Sequence, residues 1–469
     1  MFPVTSFTDS SCSPPLRVVP AAGESLSICR GLELHRFAPA TPSMESRVIV
    51  SRILSFALIV LMASAQLAGA AGKNSDSAVV LVPLTQIDDD GAFAEIVNGL
   101  TTSKYPSVVA LVDNATGTEL CTGTFIGCET VLTAASCVCS SLGGNCQTGG
   151  PDLLDPTSVS VFSQHAGFFS VASIEVPVDY DLGVAADVAI LRLSAPVTGI
   201  APSTINSTMR PAAGTAGTIV GFGETQGNAA DNGVKREGDV VTTTCTQVPD
   251  STHVCWLFED PTGNPGTDSS SCAGDSGGPL FVDFGAGPVV AGVTSGGFNP
   301  TCLPDREVFD SDVYVYRSWI ETTGGADLLN RTCGDLSQAG TSGAPIGYGQ
   351  GTLSSFNTSD DWVTIVPPAT ETLRVTINGE DGSGNDFDLY VNYGTWVTIQ
   401  DYDCGSTETG TPEFCEFPNP TPGKWYFLPQ WVVGSGLYQI TVVPYGPTGL
   451  IFSDGFESGD TSRWTGDSP

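Results

Sequence analysis

In the run Gly274-Asp275-Ser276-Gly277-Gly278-Pro279-Leu280 a serine stands among glycines. A hydroxyl on such a turn can act as a nucleophile. Its own amide and a nearby one can point at one spot and hold the charge that develops on a carbonyl oxygen, and glycines let the backbone approach that closely. Taken alone, Asp-Ser-Gly-Gly also fits any tight turn. A nucleophilic serine needs a base that takes its proton as the bond forms and hands it to the leaving group. Imidazole does this near neutral pH, yet the 469 residues include only three histidines. Two lie beyond the N-terminal region: His165 in SQHAGFF, and His253 between Cys245 and Cys255.

The elements that must hold this turn are short. Fifty-five Gly and 32 Pro break the chain into brief apolar runs. PSVVALV, VLTAA, VSVFS, FFSVASIEV, DVAILRL, GTIVGFG and PVVAGVTSG all fall between residues 96 and 325. Bounded by turn residues, they read as strands, and only YVYRSWIETT, 314–323, reads as a helix. Residues 331–351 contain SQAGTSGAPIGYGQG, a linker by composition. Over 352–444, TLRVTINGE, DFDLYVNYG, GKWYFLPQWVV and LYQITVV alternate apolar and polar positions, as strands of a small sandwich would. Residues 445–469 read as a tail. The fold expected is all-β: a barrel domain with one C-terminal helix, then a small β-sandwich.

Acidic residues outnumber basic ones 51 to 17, for a formal charge of −34. Nucleic acid and anionic membrane surfaces would be repelled, so neither is expected as a partner. From Met44 the chain has a basic start (Arg47, Arg52), an apolar run Ile53–Ala63 and a small-residue exit, Ala68-Gly69-Ala70. That is the layout of a secretory signal peptide, too short for a comfortable membrane span. Residues 1–43 are therefore expected to be a wrongly assigned start, with a signal peptide over 44–70 and no membrane segment in the mature form. A signal anchor with a short cytoplasmic tail is the alternative. Export implies an oxidising compartment, and twelve of the 14 Cys follow Met44. An even number there favours a disulfide framework over metal sites, and neither metal nor cofactor is expected.

Other motifs stand in order around Ser276: IVNG (Ile96–Gly99), CTGTFIGCETVLTAASC (Cys121–Cys137), DVAILRL (Asp187–Leu193), GDSGGPL (Gly274–Leu280) and VYVYRSWI (313–320). Together they resemble the chymotrypsin/trypsin family of serine endopeptidases over 96–323. The resemblance implies a double β-barrel with Ser276 as nucleophile, Asp187 as the carboxylate that orients the base, and the amides of Gly274 and Ser276 as the oxyanion hole. It implies that a cut after Glu95 frees Ile96 to pair with Asp275, which makes 71–95 a propeptide and 96–330 the peptidase domain. Ser270 falls at the floor of the specificity pocket, Gly297 at its wall and Val308 near its base, an uncharged set suited to small or medium apolar side chains. The bridges implied beside the two catalytic loops are Cys121–Cys137 and Cys272–Cys302, with Cys245–Cys255 and Cys404–Cys415 as local pairs. Cys128, Cys139, Cys146 and Cys333 remain; pairing Cys139 with Cys146 and Cys128 with Cys333 is plausible but not fixed.

In one place the pattern breaks: Ser136 occupies the family's histidine position. A serine hydroxyl has no protonation step near neutral pH, and its side chain is too short to span the gap. Removing such a base costs about a millionfold in turnover in a well-studied peptidase. His165 and His253 fall in segments expected away from the cleft, in a strand of the first barrel and in a disulfide-flanked loop. The expectation is a homologue with little or no turnover that binds peptides or a protein partner. An active or substrate-assisted endopeptidase is one alternative; a surface adhesion module acting through the sandwich is another.

The second unit resembles the bacterial pre-peptidase C-terminal domain in DFDLYV, YDC (Tyr402–Cys404), NPTPGKWY and GLYQITVV. The resemblance implies a secreted bacterial protein with an accessory sandwich. Asp381, Asp386 and Asp388 in EDGSGNDFD would suit calcium, as hard ligands on a Gly-rich loop. A solvated acidic turn is the simpler reading.

Overall fold

The computed structural model describes residues 96–446 except 141–144, 260–263, 305, 335–346, 356–359 and 383, together with the backbone of Val79–Val80. The expected mistaken start, signal peptide and most of the propeptide, linker and tail lie outside the described residues. Two short strands come first, β1 (Val79–Val80) and β2 (Leu100–Thr101). The next six are β3 (Val108–Asp113), β4 (Glu119–Phe125), β5 (Thr130–Thr133), β6 (Val159–Ser163), β7 (Gly167–Glu175) and β8 (Ala189–Leu193). They close a barrel in the order β3-β4-β5-β8-β7-β6. Its interior is filled by β-branched and aromatic side chains such as Val109, Phe125, Val161 and Ile190, all fully buried.

The second barrel is built from β9 (Ala216–Gly221), β10 (Arg236–Thr243), β11 (His253–Phe258), β12 (Pro279–Asp283), β13 (Pro288–Gly297) and β14 (Arg306–Asp312). β10 pairs with both β9 and β11, which closes the ring. Ile219, Val240, Trp256, Leu280 and Val308 pack inside it with Ile96. Helix α1 (Val313–Gly324) follows directly. The Asp312 side chain starts it by accepting from Tyr314 N at 2.9 Å, filling an amide that the helix leaves open. Arg192 of β8 closes the other end by donating to the carbonyls of Thr323 and Gly324, a cation where the helix dipole is negative.

The sandwich follows with β15 (Gly347–Leu353), β16 (Trp362–Val366), β17 (Thr372–Gly379), β18 (Asp386–Tyr393), β19 (Cys404–Ser406), β20 (Glu413–Pro418), β21 (Gly423–Val433) and β22 (Gly436–Tyr445). One sheet runs β15-β22-β17-β20 and the other β1-β16-β21-β18-β19, with β1 parallel to β16. Residues 347–351, expected in the linker, are thus the start of β15. The polar positions of β22, and all but the first of β17, do not face water. All of β22 is buried, because its second face lies against residues of both barrels, such as His165 and Lys235. Gln164 donates to Asn378 Oδ1 and Gln439 Oε1 at 3.3 and 3.1 Å. Lys235 N donates to Gln439 Oε1 at 2.8 Å, and Asn378 Nδ2 to Gly233 O at 2.8 Å. Barrel groups do here what water does on an open sheet.

Six disulfides join Cys121 to Cys137, Cys128 to Cys333, Cys139 to Cys146, Cys245 to Cys255, Cys272 to Cys302 and Cys404 to Cys415.

Candidate active site

Ser276 lies on the turn between the Cys272–Cys302 bridge and β12. Gly274 gives that turn its shape, with φ of 92°, and a Cβ there would stand 2.8 Å from Gly223 Cα. β4 of the first barrel holds the turn: Thr122 Oγ1 donates to Gly274 O, and Thr122 N to Ser276 O, each at 2.9 Å. The amides of Gly274 and Ser276 have no hydrogen-bond partner among the described residues, nor has Ser276 Oγ. Unpaired amides beside a free hydroxyl can receive a carbonyl oxygen as charge builds on it.

Ser136 is presented by a 3₁₀ turn, Ala135–Val138, directly after β5. The Cys121–Cys137 bridge sets this turn against the Ser276 loop, with Cys137 Sγ 3.3 Å from Ser276 O. Asp187, just before β8, is fully buried. Its Oδ1 accepts from Ser136 N at 2.8 Å, and its Oδ2 from Ser136 Oγ at 3.1 Å and from Ser295 Oγ. Burial pushes the Asp187 carboxyl above its usual range, against the pull of these donors. Ser295 has no part in the sequence motifs, and only the approach of β13 to Asp187 gives it one. Tyr180 is also buried nearby, with no partner for its hydroxyl among the described residues. Burial and then the charge of Asp187 push its pKa up, so it keeps its proton at neutral pH.

Neither described histidine joins this group. His165 is in the turn between β6 and β7, not in a strand, and its Nε2 lies 2.7 Å from Ser103 O. Burial brings its pKa down to about 3. His253 opens β11 instead of lying in a loop. Its Nδ1 is 3.0 Å from Pro249 O, and its ring meets Phe309 edge-on.

Asp275 and Ile96 are both buried but are not bonded to each other. Asp275 accepts from Gly223 N and Cys272 N, each at 2.8 Å. Burial pushes its carboxyl up to about 6, offset first by these amides and then by the charges of Arg236 and Arg306.

The pocket residues divide. Ser270 is fully buried, its Oγ donating to Ser271 O at 3.1 Å, and Gly297 ends β13 opposite Val308. Val308, however, packs in the core of the second barrel with Trp256 and Leu280. The side chain that reaches Ser270 and Gly297 is Arg306, two residues earlier. Its Nη1 donates to Ser271 O at 2.5 Å and lies 3.5 Å from Ser270 Oγ. A Cβ at position 297 would fall 2.3 Å from Arg306 Nε and 2.4 Å from its Nη2; only glycine leaves the guanidinium this room. A charged side chain, Arg306, thus stands beside Ser270 and Gly297.

In the sandwich, Asp381 is not a solvated turn carboxylate. It is buried against the barrel, where it accepts from Glu119 N and Asn232 Nδ2. Asp388 accepts from Tyr390 Oη at 2.8 Å and Asp386 from Gly410 N at 3.2 Å. Among the described residues no group of three or more His, Cys, Asp or Glu side chains is arranged to hold a metal ion.

The sequence profile described as Trypsin matches residues 96–320, and that of the bacterial pre-peptidase C-terminal domain matches 359–428. The chain is similar to Trypsin iota of Drosophila melanogaster, 32% identical over 146 residues, covering 30% of this chain and 55% of that protein. It is similar to Trypsin alpha-3 of Lucilia cuprina, 30% identical over 177 residues, covering 35% of this chain and 92% of that protein. Among solved structures, neuropsin, a serine protease expressed in the limbic system of mouse brain, aligns with a TM-score of 0.38 at 20% identity, covering 48% of this chain and 99% of that one.

Proposed function

The chain belongs to the trypsin family, and from that premise we propose a secreted serine-endopeptidase homologue whose cleft binds peptides or a protein partner and turns them over slowly or not at all. The observation that carries this reading is at Asp187. Its oxygens are taken up by Ser136 and Ser295, and no imidazole among the described residues contacts it. In the family's mechanism a base takes the proton of the nucleophile, here Ser276, and returns it to the leaving amine. Ser136 has the position for that role without the chemistry. His165 and His253, each bonded elsewhere, offer no substitute. The amides of Gly274 and Ser276 do not depend on a base and would still hold a carbonyl oxygen, so binding would outlast turnover. Six disulfides support an oxidising, extracellular setting.

The test is peptide turnover by the chain cleaved after Glu95, beside its Ser136→His and Ser276→Ala versions. The natural chain is expected at the level of Ser276→Ala. Ser136→His should rise by about 10³-fold or more, part of the roughly millionfold that such a base contributes. Turnover by the natural chain well above Ser276→Ala would sink the reading, because a base would then be present.

A further inference from the structure

Arg306 is 6% exposed, so its guanidinium is cut off from bulk water. One of its nitrogens bonds Ser271 O, but Nε has no hydrogen-bond partner among the described residues. Among the described residues the carboxylate whose charge acts on it is Asp275, whose oxygens are already engaged by Gly223 N and Cys272 N. A buried cation with donors to spare and no bonded counter-charge is a site for an anion. A carboxylate suits it best, because the planar guanidinium can meet two carboxylate oxygens in parallel. Gly297, with no side chain, lets the guanidinium lie against its backbone.

We infer that the pocket lined by Ser270, Gly297 and Arg306 takes an acidic side chain, glutamate or aspartate, from the bound peptide. This replaces the apolar side chain that the sequence suggested, and it rests on the peptide-binding reading of the cleft. The chain offers a natural probe. Glu95 directly precedes Ile96, in the segment GAFAEIVNG over 91–99.

The experiment titrates the full-length protein with fluorescently labelled GAFAEIVNG and with versions carrying Gln, Leu or Arg in place of the glutamate. The glutamate peptide should bind at least tenfold more tightly than the Gln peptide, and the Arg peptide most weakly. Arg306→Gln should abolish the preference and Arg306→Glu should turn it toward the Arg peptide. Equal binding of all four peptides by the natural protein overturns the inference and leaves the peptide-binding cleft standing. If no peptide binds, the reading of the cleft falls, and the inference with it. Should the Arg306 variants not fold, Ser136→His reports the same preference through turnover. Cleavage after Glu at least tenfold faster than after Leu supports the acidic pocket, and the reverse order overturns it.

Discussion

Asp187 draws donors from Ser136 and Ser295, on two segments far apart in the chain. Removing one of them leaves a buried carboxyl group short of a partner. Ser295→Ala is therefore expected to cost about 1.5–3 kcal/mol of stability, read as a lower denaturant midpoint with unchanged slope. Ser276, Gly274 and Asp187 were named from the sequence because each sits in a motif whose neighbours are contiguous. Ser295 and Arg306 were not. Their roles depend on how β13 and β14 lie beside other elements, and a shift of one residue along a strand exchanges its two faces. Val308 and Arg306 share a face of β14, yet one fills the barrel core and the other reaches the pocket. Spacing alone does not tell them apart.

Many strands and α1 were legible at the scale of elements, since turn residues bound the apolar runs, whereas β11 was expected as a loop and the start of β15 as linker. How the elements are tied together is a matter of distant partners. The Cys128–Cys333 bridge spans 205 residues and the Cys139–Cys146 bridge spans 7. Loop-closure entropy makes the long one worth more: replacing its two cysteines by alanine should cost roughly 4–5 kcal/mol, against about 2–3 for the short one. Thermal unfolding of the two double variants checks the order. Arg192→Ala should loosen the end of α1 by about 1–2 kcal/mol, since it removes charge-assisted bonds to two carbonyls. Faster amide exchange confined to the last turn of the helix would register it.

The whole molecule differs most from the sequence reading where the sandwich meets the barrel. Alternation in TLRVTINGE and LYQITVV marks two faces but not what covers the polar one. The groups buried there include ionisable ones. Burial pushes Asp381 up to about 7 and raises Glu119 well above the usual range, the two charges also opposing each other. A carboxyl group whose pKa is raised on folding stabilises the fold while it is protonated. That contribution is complete below about pH 4 and is lost as pH rises through 7. Thermal stability should therefore be lower at pH 8 than at pH 5, with Asp381 accounting for something on the order of 2–4 kcal/mol. Asp381→Asn should flatten the pH dependence, and an unchanged slope in that variant would count against the assignment.

Glu119 and Asn232, the two barrel residues that Asp381 engages, also lie directly behind Gly274. A Cβ on that glycine would meet Glu119 Oε2 at 3.1 Å and Asn232 Cβ at 3.5 Å. The back wall of the Ser276 turn is thus held from outside the barrel. Recombination that exchanged this sandwich for an unrelated one would reshape that wall as well, so the two folds behave in heredity as one matched pair.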